Sequence, residues 1–122
     1  MTTPKDFSHL DLNGRAFIQA RMFGADLTGA DLRTANLSGA NLTDANLSDA
    51  QLTGANLLMA NLRGAQLLVA NLRLTSLCRA DLTGADLTQA DLTFADLTRA
   101  DLTDANLTDV IMPKGWKLVR DE

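Results

Sequence analysis

A five-residue register constrains this chain more than any other feature. Read from Lys5, 22 pentapeptides run to Lys114 without an insertion or a deletion. The centre of each unit is Leu at every step from Leu27 to Leu107, with Met22 and Met112 on either side. Two residues before each centre stands Ala, from Ala20 to Ala105, with Thr75 the one exception. Between them lies mostly Asp or Asn, with Gln51, Gln66 and Ser76 as polar variants. Periodicity of this kind is the mark of a repeat architecture, in which each unit buries its apolar face only against its neighbours.

The period selects the geometry. Apolar residues recur at steps of two and three. On an α-helix, with 3.6 residues per turn, these positions would scatter around the whole circumference and leave no polar face. In extended chain, residues two apart share a face, so Ala25 and Leu27 point the same way. The following step of three keeps that direction only if the chain turns a corner. The Gly, Asp, Asn and Ser near those corners are turn formers. The expected fold is a wound β-solenoid with an interior of Ala and Leu, which supply 41 of the 56 hydrophobic residues.

How many corners close a coil does not follow from the period. Units such as Ala25-Asp26-Leu27-Thr28-Gly29 resemble the A(D/N)LXX motif of the pentapeptide repeat family, over about nine tenths of the chain. The resemblance implies an all-β, right-handed quadrilateral β-helix with four pentapeptides per coil. Twenty-two units would then make about 5.5 coils, roughly 26 Å tall at about 4.8 Å per stacked strand. Residues twenty apart would stack, placing Asp11 beneath Asp31 and Asp81 beneath Asp101.

The expectation is a single domain over 1–122, with repeats over 5–114 and a C-terminal cap over 110–122. Phe7 and Phe17 occupy early centres and are expected to plug the first coil. Trp116, within Gly115-Trp116-Lys117-Leu118-Val119, is expected to fold over the last one, because an open coil leaves backbone unpaired. The hydroxyl of Thr75 must find a backbone carbonyl inside the coil or remain unsatisfied, and Thr75→Ala is expected to be neutral or stabilising by up to roughly 1 kcal/mol.

The chemical inventory argues against an enzyme. The one histidine, His9, is at an outward position in the poorly conforming first unit, and the one glutamate is Glu122. Neither forms part of a nucleophile–base–acid arrangement. Cys78, also outward, reads as a passive surface thiol, and a lone cysteine suits a reducing compartment. Stacked Asp columns offer one or two carboxylates per level, too few for calcium, and read as a solvated polar surface. The Asn-x-Ser/Thr sequons, such as Asn36-Leu37-Ser38, are by-products of the repeat. No cofactor or metal is expected.

Net charge is −4, against a basic nucleic-acid-binding face. No apolar run reaches the roughly 18 residues of a membrane span, and residues 1–10 lack the pattern of a signal peptide. The expected location is cytoplasmic, with no membrane and no direct nucleic-acid partner.

Functional information must then lie at the outward positions. Residues 51–80 hold three Arg and no acid, whereas 81–109 hold seven Asp against Arg99 alone. The middle segment also carries Leu58, Met59, Leu68, Val69 and Leu74, with Leu58 expected to stack under Cys78 and Leu74 under Phe94. Leu58, Met59, Leu68, Val69, Leu74 and Phe94, bordered by Arg73 and Arg79, form the candidate interaction surface. The leading expectation is a non-catalytic protein-interaction or scaffold module, binding an unknown protein partner or a second copy of itself as a weak homodimer. The ending Val110-Ile111-Met112-Pro113-Lys114-Gly115-Trp116-Lys117 resembles those of cyanobacterial members. The alternative that the family implies is a DNA mimic that binds topoisomerase (gyrase), of the quinolone-resistance type, using Asp81, Asp86, Asp91, Asp96, Asp101, Asp104 and Asp109.

Overall fold

The computed structural model describes residues 5–116. Parallel bridges join residues twenty apart at every step. One column climbs from Asp6 to Asp26, Asn46, Gln66, Asp86 and Asn106, and parallel columns start at Asp11, Ala16 and Arg21. Four pentapeptides therefore complete a turn, and the chain winds as a four-sided β-solenoid. We number the sides by their first centres: side I begins at Phe7, side II at Leu12, side III at Phe17 and side IV at Met22. Sides I and III are opposite each other. Each side contributes one bridging residue per level rather than a continuous strand. The reason is economy of length, since two of every five residues are consumed by the corner.

The repeat motif follows from where the backbone amides go. Take the unit centred on Leu47. The Asn46 amide donates down to the Ala25 carbonyl (2.9 Å), and the Leu47 and Asp49 amides donate up to the Gln66 and Leu68 carbonyls (2.6 and 2.9 Å). The Ala50 amide closes the corner on the Leu47 carbonyl at 3.0 Å. That leaves the Ser48 amide, which donates to Oδ1 of Asn46 at 3.0 Å. An Asp or Asn before the centre is thus the acceptor for the one amide that neither the corner nor the next coil can satisfy, and an unsatisfied amide is costly. Where Ala16, Arg21, Gln51, Gln66 or Ser76 replaces it, that side-chain bond is not made. Ile111 replaces it at no cost, because the residue to be capped is Pro113, which has no N–H.

The second corner residue has a left-handed backbone in every unit but the last, where the turn slips by one residue and Gly115 takes it instead of Lys114. From His9 to Asp109 its φ lies between 55 and 73°. Glycine takes this conformation freely and Asp or Asn tolerates it, whereas bulky and β-branched side chains resist it. Thr34, Met59, Val69, Leu74 and Phe94 are nonetheless held there, with φ near 60°.

Inward positions from Ala25 to Leu92 are no more than 2% exposed. Thr75 sits among them, and its hydroxyl donates to the Leu72 carbonyl at 2.7 Å, so the fault in the Ala column is satisfied. No buried side-chain polar atom among the described residues lacks a partner. Burial decays at both ends. Phe7 and Phe17 are half-buried and meet edge to face with ring centres 6.5 Å apart, across the mouth of the first coil. At the other end Leu102, Leu107, Val110 and Met112 are half-buried, and Pro113 is buried. Trp116 bonds back to the Pro113 carbonyl at 3.1 Å but is 40% exposed and stands outside the packed cluster. The rest of the expected cap, Lys117-Leu118-Val119, lies outside the described residues. Among the described residues no helix is long and apolar enough to cross a membrane.

Candidate functional site

The interior is uniform, so distinctive chemistry can only sit on the corners and on the bridging residues between them. The twenty-residue register holds for both apolar pairs: Leu58 lies beneath Cys78 and Leu74 beneath Phe94. The eight candidate residues, however, do not gather on one surface. Leu68 and Val69 form a corner between sides I and II, Arg73 and Leu74 the corner between II and III, and Leu58, Met59 and Arg79 the corner between III and IV. Met59, Val69, Leu74 and Phe94 are the well-exposed apolar members, at 52–65%, and all four occupy left-handed positions, as does the exposed Arg79. Exposed apolar side chains that burden the backbone are suited to contact with something else.

The described concavity lies on the III/IV corner. It is an open groove of about 570 Å³ lined by Ile18, Gln19, Ser38, Gly39, Leu58 and Met59. Its floor is low because Ser38 and Gly39 are small, while larger residues stand in the coils below and above. A Cβ at Gly39 would come within 3.1 Å of Gln19 Cγ. Ile18, 58% exposed, carries the groove into the first coil, where Phe23, 64% exposed, stands apart on the IV/I corner. Both were legible as apolar residues at outward positions, but the irregular first units mask the frame there.

Charge on the rod is partly neutralised within it. Arg63 pairs with Asp81 at 3.2 Å and Arg73 with Asp91 at 3.3 Å, each reaching up one coil, while Arg33 grips Asp31 in its own unit at 2.7 Å. Arg73 is therefore occupied, and Arg79 makes no ion pair among the described residues. The seven-Asp run does not form one track. Asp81, Asp101 and Asp104 lie on side IV, Asp86 and Asp109 on side I, Asp91 on side II and Asp96 on side III.

Several carboxylates titrate low. The Arg33 guanidinium holds Asp31 down to about 2. The Thr98 and Thr103 hydroxyls and amides lower Asp96 and Asp101, and Ser8 lowers Asp6 in the same way. Asp81 is lowered by the Thr83 hydroxyl, which donates at 2.6 Å, with help from its amide and Arg63. At Asp91 burial opposes the shift, and Thr93 and Arg73 together outweigh it. Each of these carboxylates caps an amide of its own unit. His9 is exposed and lies beneath Gly29. Cys78 is a free, half-buried thiol. Among the described residues no group of three His, Cys, Asp or Glu could hold a metal ion.

Known proteins carry the same pattern. The family described as pentapeptide repeats matches residues 6–39, 31–67 and 70–110, as eight copies. The crystal structure of alr5209, a pentapeptide repeat protein from Nostoc PCC 7120, is 35% identical with a TM-score of 0.71, covering 93% of this chain and 78% of that one. Rfr23 from the cyanobacterium Cyanothece 51142 is 33% identical with a TM-score of 0.48, and the match covers 80% of this chain but only 63% of Rfr23. HetL from Nostoc PCC 7120, involved in heterocyst differentiation regulation, is 31% identical over 93% of this chain and 73% of its own, with a TM-score of 0.37. No curated protein matches the chain. With the motif, the twenty-residue bridging, the family match over most of the chain and the alr5209 structure in agreement, the chain belongs to the pentapeptide repeat family.

Proposed function

We propose that this chain is a non-catalytic binding module, a right-handed quadrilateral β-helix of about 5.5 coils whose sides present side chains to a protein partner. One observation carries the reading: exposed Met59, Val69, Leu74 and Phe94 occupy left-handed corner positions that the other units from His9 to Asp109 give to Gly or a polar side chain. The groove beside Met59 supplies a recess for an apolar side chain of the partner. Affinity capture from the native host tests this, with the parent, Met59→Asp and Phe94→Asp as baits. A protein held by the parent and released by a variant supports the reading. Identical capture by all three baits sinks the assignment of these corners. The DNA-mimic alternative has less support, because its seven carboxylates are spread over four sides and two of them are paired with Arg63 and Arg73. It predicts protection of gyrase supercoiling from a fluoroquinolone, and we expect none at stoichiometric excess.

A further inference from the structure

Folding four pentapeptides to a turn redistributes charge in a way that contiguous segments hide. Side III collects every fourth unit from Arg15 onward. It carries Arg15, Arg79 and Arg99 against Asp96 alone, a net charge of +2. The bridging column of that side below Asp96 is Ala16, Asn36, Asn56 and Ser76, without a charge. Side I, directly opposite, carries Lys5 against Asp6, Asp26, Asp49, Asp86 and Asp109, a net charge of −4. Sides II and IV carry 0 and −2 over the same units, from Leu10 to Lys114. The rod is therefore polarised across its width, with its one basic side facing away from its most acidic one.

The exposed apolar residues fit the same axis. Slide a second, parallel copy sideways until its side I meets side III of the first. The II/III corner of the first copy, with Leu74 and Phe94, then faces the I/II corner of the second, with Leu68 and Val69. Leu74 and Val69 lie in the same turn of the solenoid. The groove on the III/IV corner faces the IV/I corner of the second copy, which carries the exposed Phe23. Opposite charge and apolar bulk are brought together by one translation.

We propose that the rod associates side by side with a second copy of itself, side III of one against side I of the next. This rests on the reading that the chain is a binding module and names its partner. The contact is heterologous, using different surfaces on the two copies, so each copy keeps a free side III or side I and a row can grow. A single side offers less than the roughly 800 Å² per partner of a standard interface, so association is weak. Attraction across exposed charges is screened by salt.

Sedimentation velocity over a concentration series tests it, at about 0.02 M and about 0.5 M salt. The parent should gain mass with concentration, more at the lower salt. Two double variants separate the sides. Met59→Asp with Arg79→Asp spoils side III, and Asp49→Arg with Asp109→Arg spoils side I. All four positions are left-handed corners where Asp or Arg already occurs in other units, so the fold carries them. Each variant alone should lose self-association, and an equimolar mixture should recover a 1:1 dimer that grows no further, because one good side III meets one good side I. A side I variant that still self-associates like the parent would show that side I is not part of the contact and overturn the proposal. A parent that stays monomeric at both salts would overturn it too, leaving side III to an acidic protein and the binding-module reading standing on its capture experiment.

Discussion

Replacing Leu62 by Ala is the sharpest probe of how the interior is built. Leu62 is 0% exposed, and the stacked Leu42 and Leu82 below and above it are equally buried. Its amide bonds to the Asp81 carbonyl at 2.7 Å, and the Asn61 carbonyl accepts the Leu42 amide at 2.7 Å. Those bonds fix the spacing between coils, so a gap at Leu62 cannot close by collapse. Removing three carbons forfeits about 2–2.5 kcal/mol of transfer free energy. A residual cavity of about 60 Å³ at ~24 cal/mol per Å³ adds about 1.5 kcal/mol. The expected cost is about 3–4 kcal/mol. Leu107, half-buried near the open end, should cost about 1 kcal/mol on the same substitution, because solvent fills the space. Urea unfolding of both variants, with the dependence on denaturant unchanged, measures the difference. A cost below 0.5 kcal/mol at Leu62, or equal costs at the two positions, would refute the reasoning.

Asn56→Ala removes the acceptor for the Leu58 amide, now bonded at 3.0 Å, and should cost about 1 kcal/mol in urea unfolding, while Asn56→Asp, which keeps the oxygen, should hold parental stability. Thr75→Ala, neutral or stabilising on sequence grounds alone, is now expected to cost up to about 1 kcal/mol, because the buried hydroxyl does make its bond; a gain in thermal stability would contradict that. The low-titrating carboxylates set an acid limit. Their folded pKa lies below the unfolded value of about 3.9, so their stabilisation is complete above about pH 5 and lost as pH falls toward the folded value, about 2 for Asp31. Thermal melts should show the midpoint falling through that window, and a flat or rising midpoint below pH 4 would be wrong for this structure. One residue inserted after Leu62 should turn the downstream centres outward and abolish cooperative unfolding, unless a corner absorbs it as a bulge.

The inward half of the molecule was legible in the sequence because burial enforces it. Ala and Leu are spaced so that only a corner every five residues keeps both inside, and Thr75 announced its own need for a carbonyl. The corners were less legible. Asp and Asn before each centre read as turn formers and solvated charge, yet their function is to accept one particular amide, as Asn46 does from Ser48. The left-handed backbone after each centre was signalled by the frequent Gly there, but nothing local shows that Val69 or Phe94 adopts it too. The surface was the least legible part, because sides are assembled from every fourth unit. Leu58, Leu68 and Leu74 are close in sequence and stand on three different corners, whereas Ile18 and Met59 are far apart and line one groove. Charge summed over contiguous residues likewise hid the contrast between sides I and III.

The twenty-residue register is the claim on which the sides, the groove and the charge polarity all depend, and the one native thiol measures it. Leu58→Cys places a second thiol directly beneath Cys78, at the same corner position one coil below. Leu68→Cys places it ten residues away, on the opposite side of the rod. Each variant is treated in dilute solution with a short fluorogenic reagent that must react with two thiols at once, and intramolecular cross-linking is read by fluorescence and mass. The account predicts rapid closure for Leu58→Cys and none for Leu68→Cys; closure at Leu68→Cys, or failure at Leu58→Cys, would contradict it.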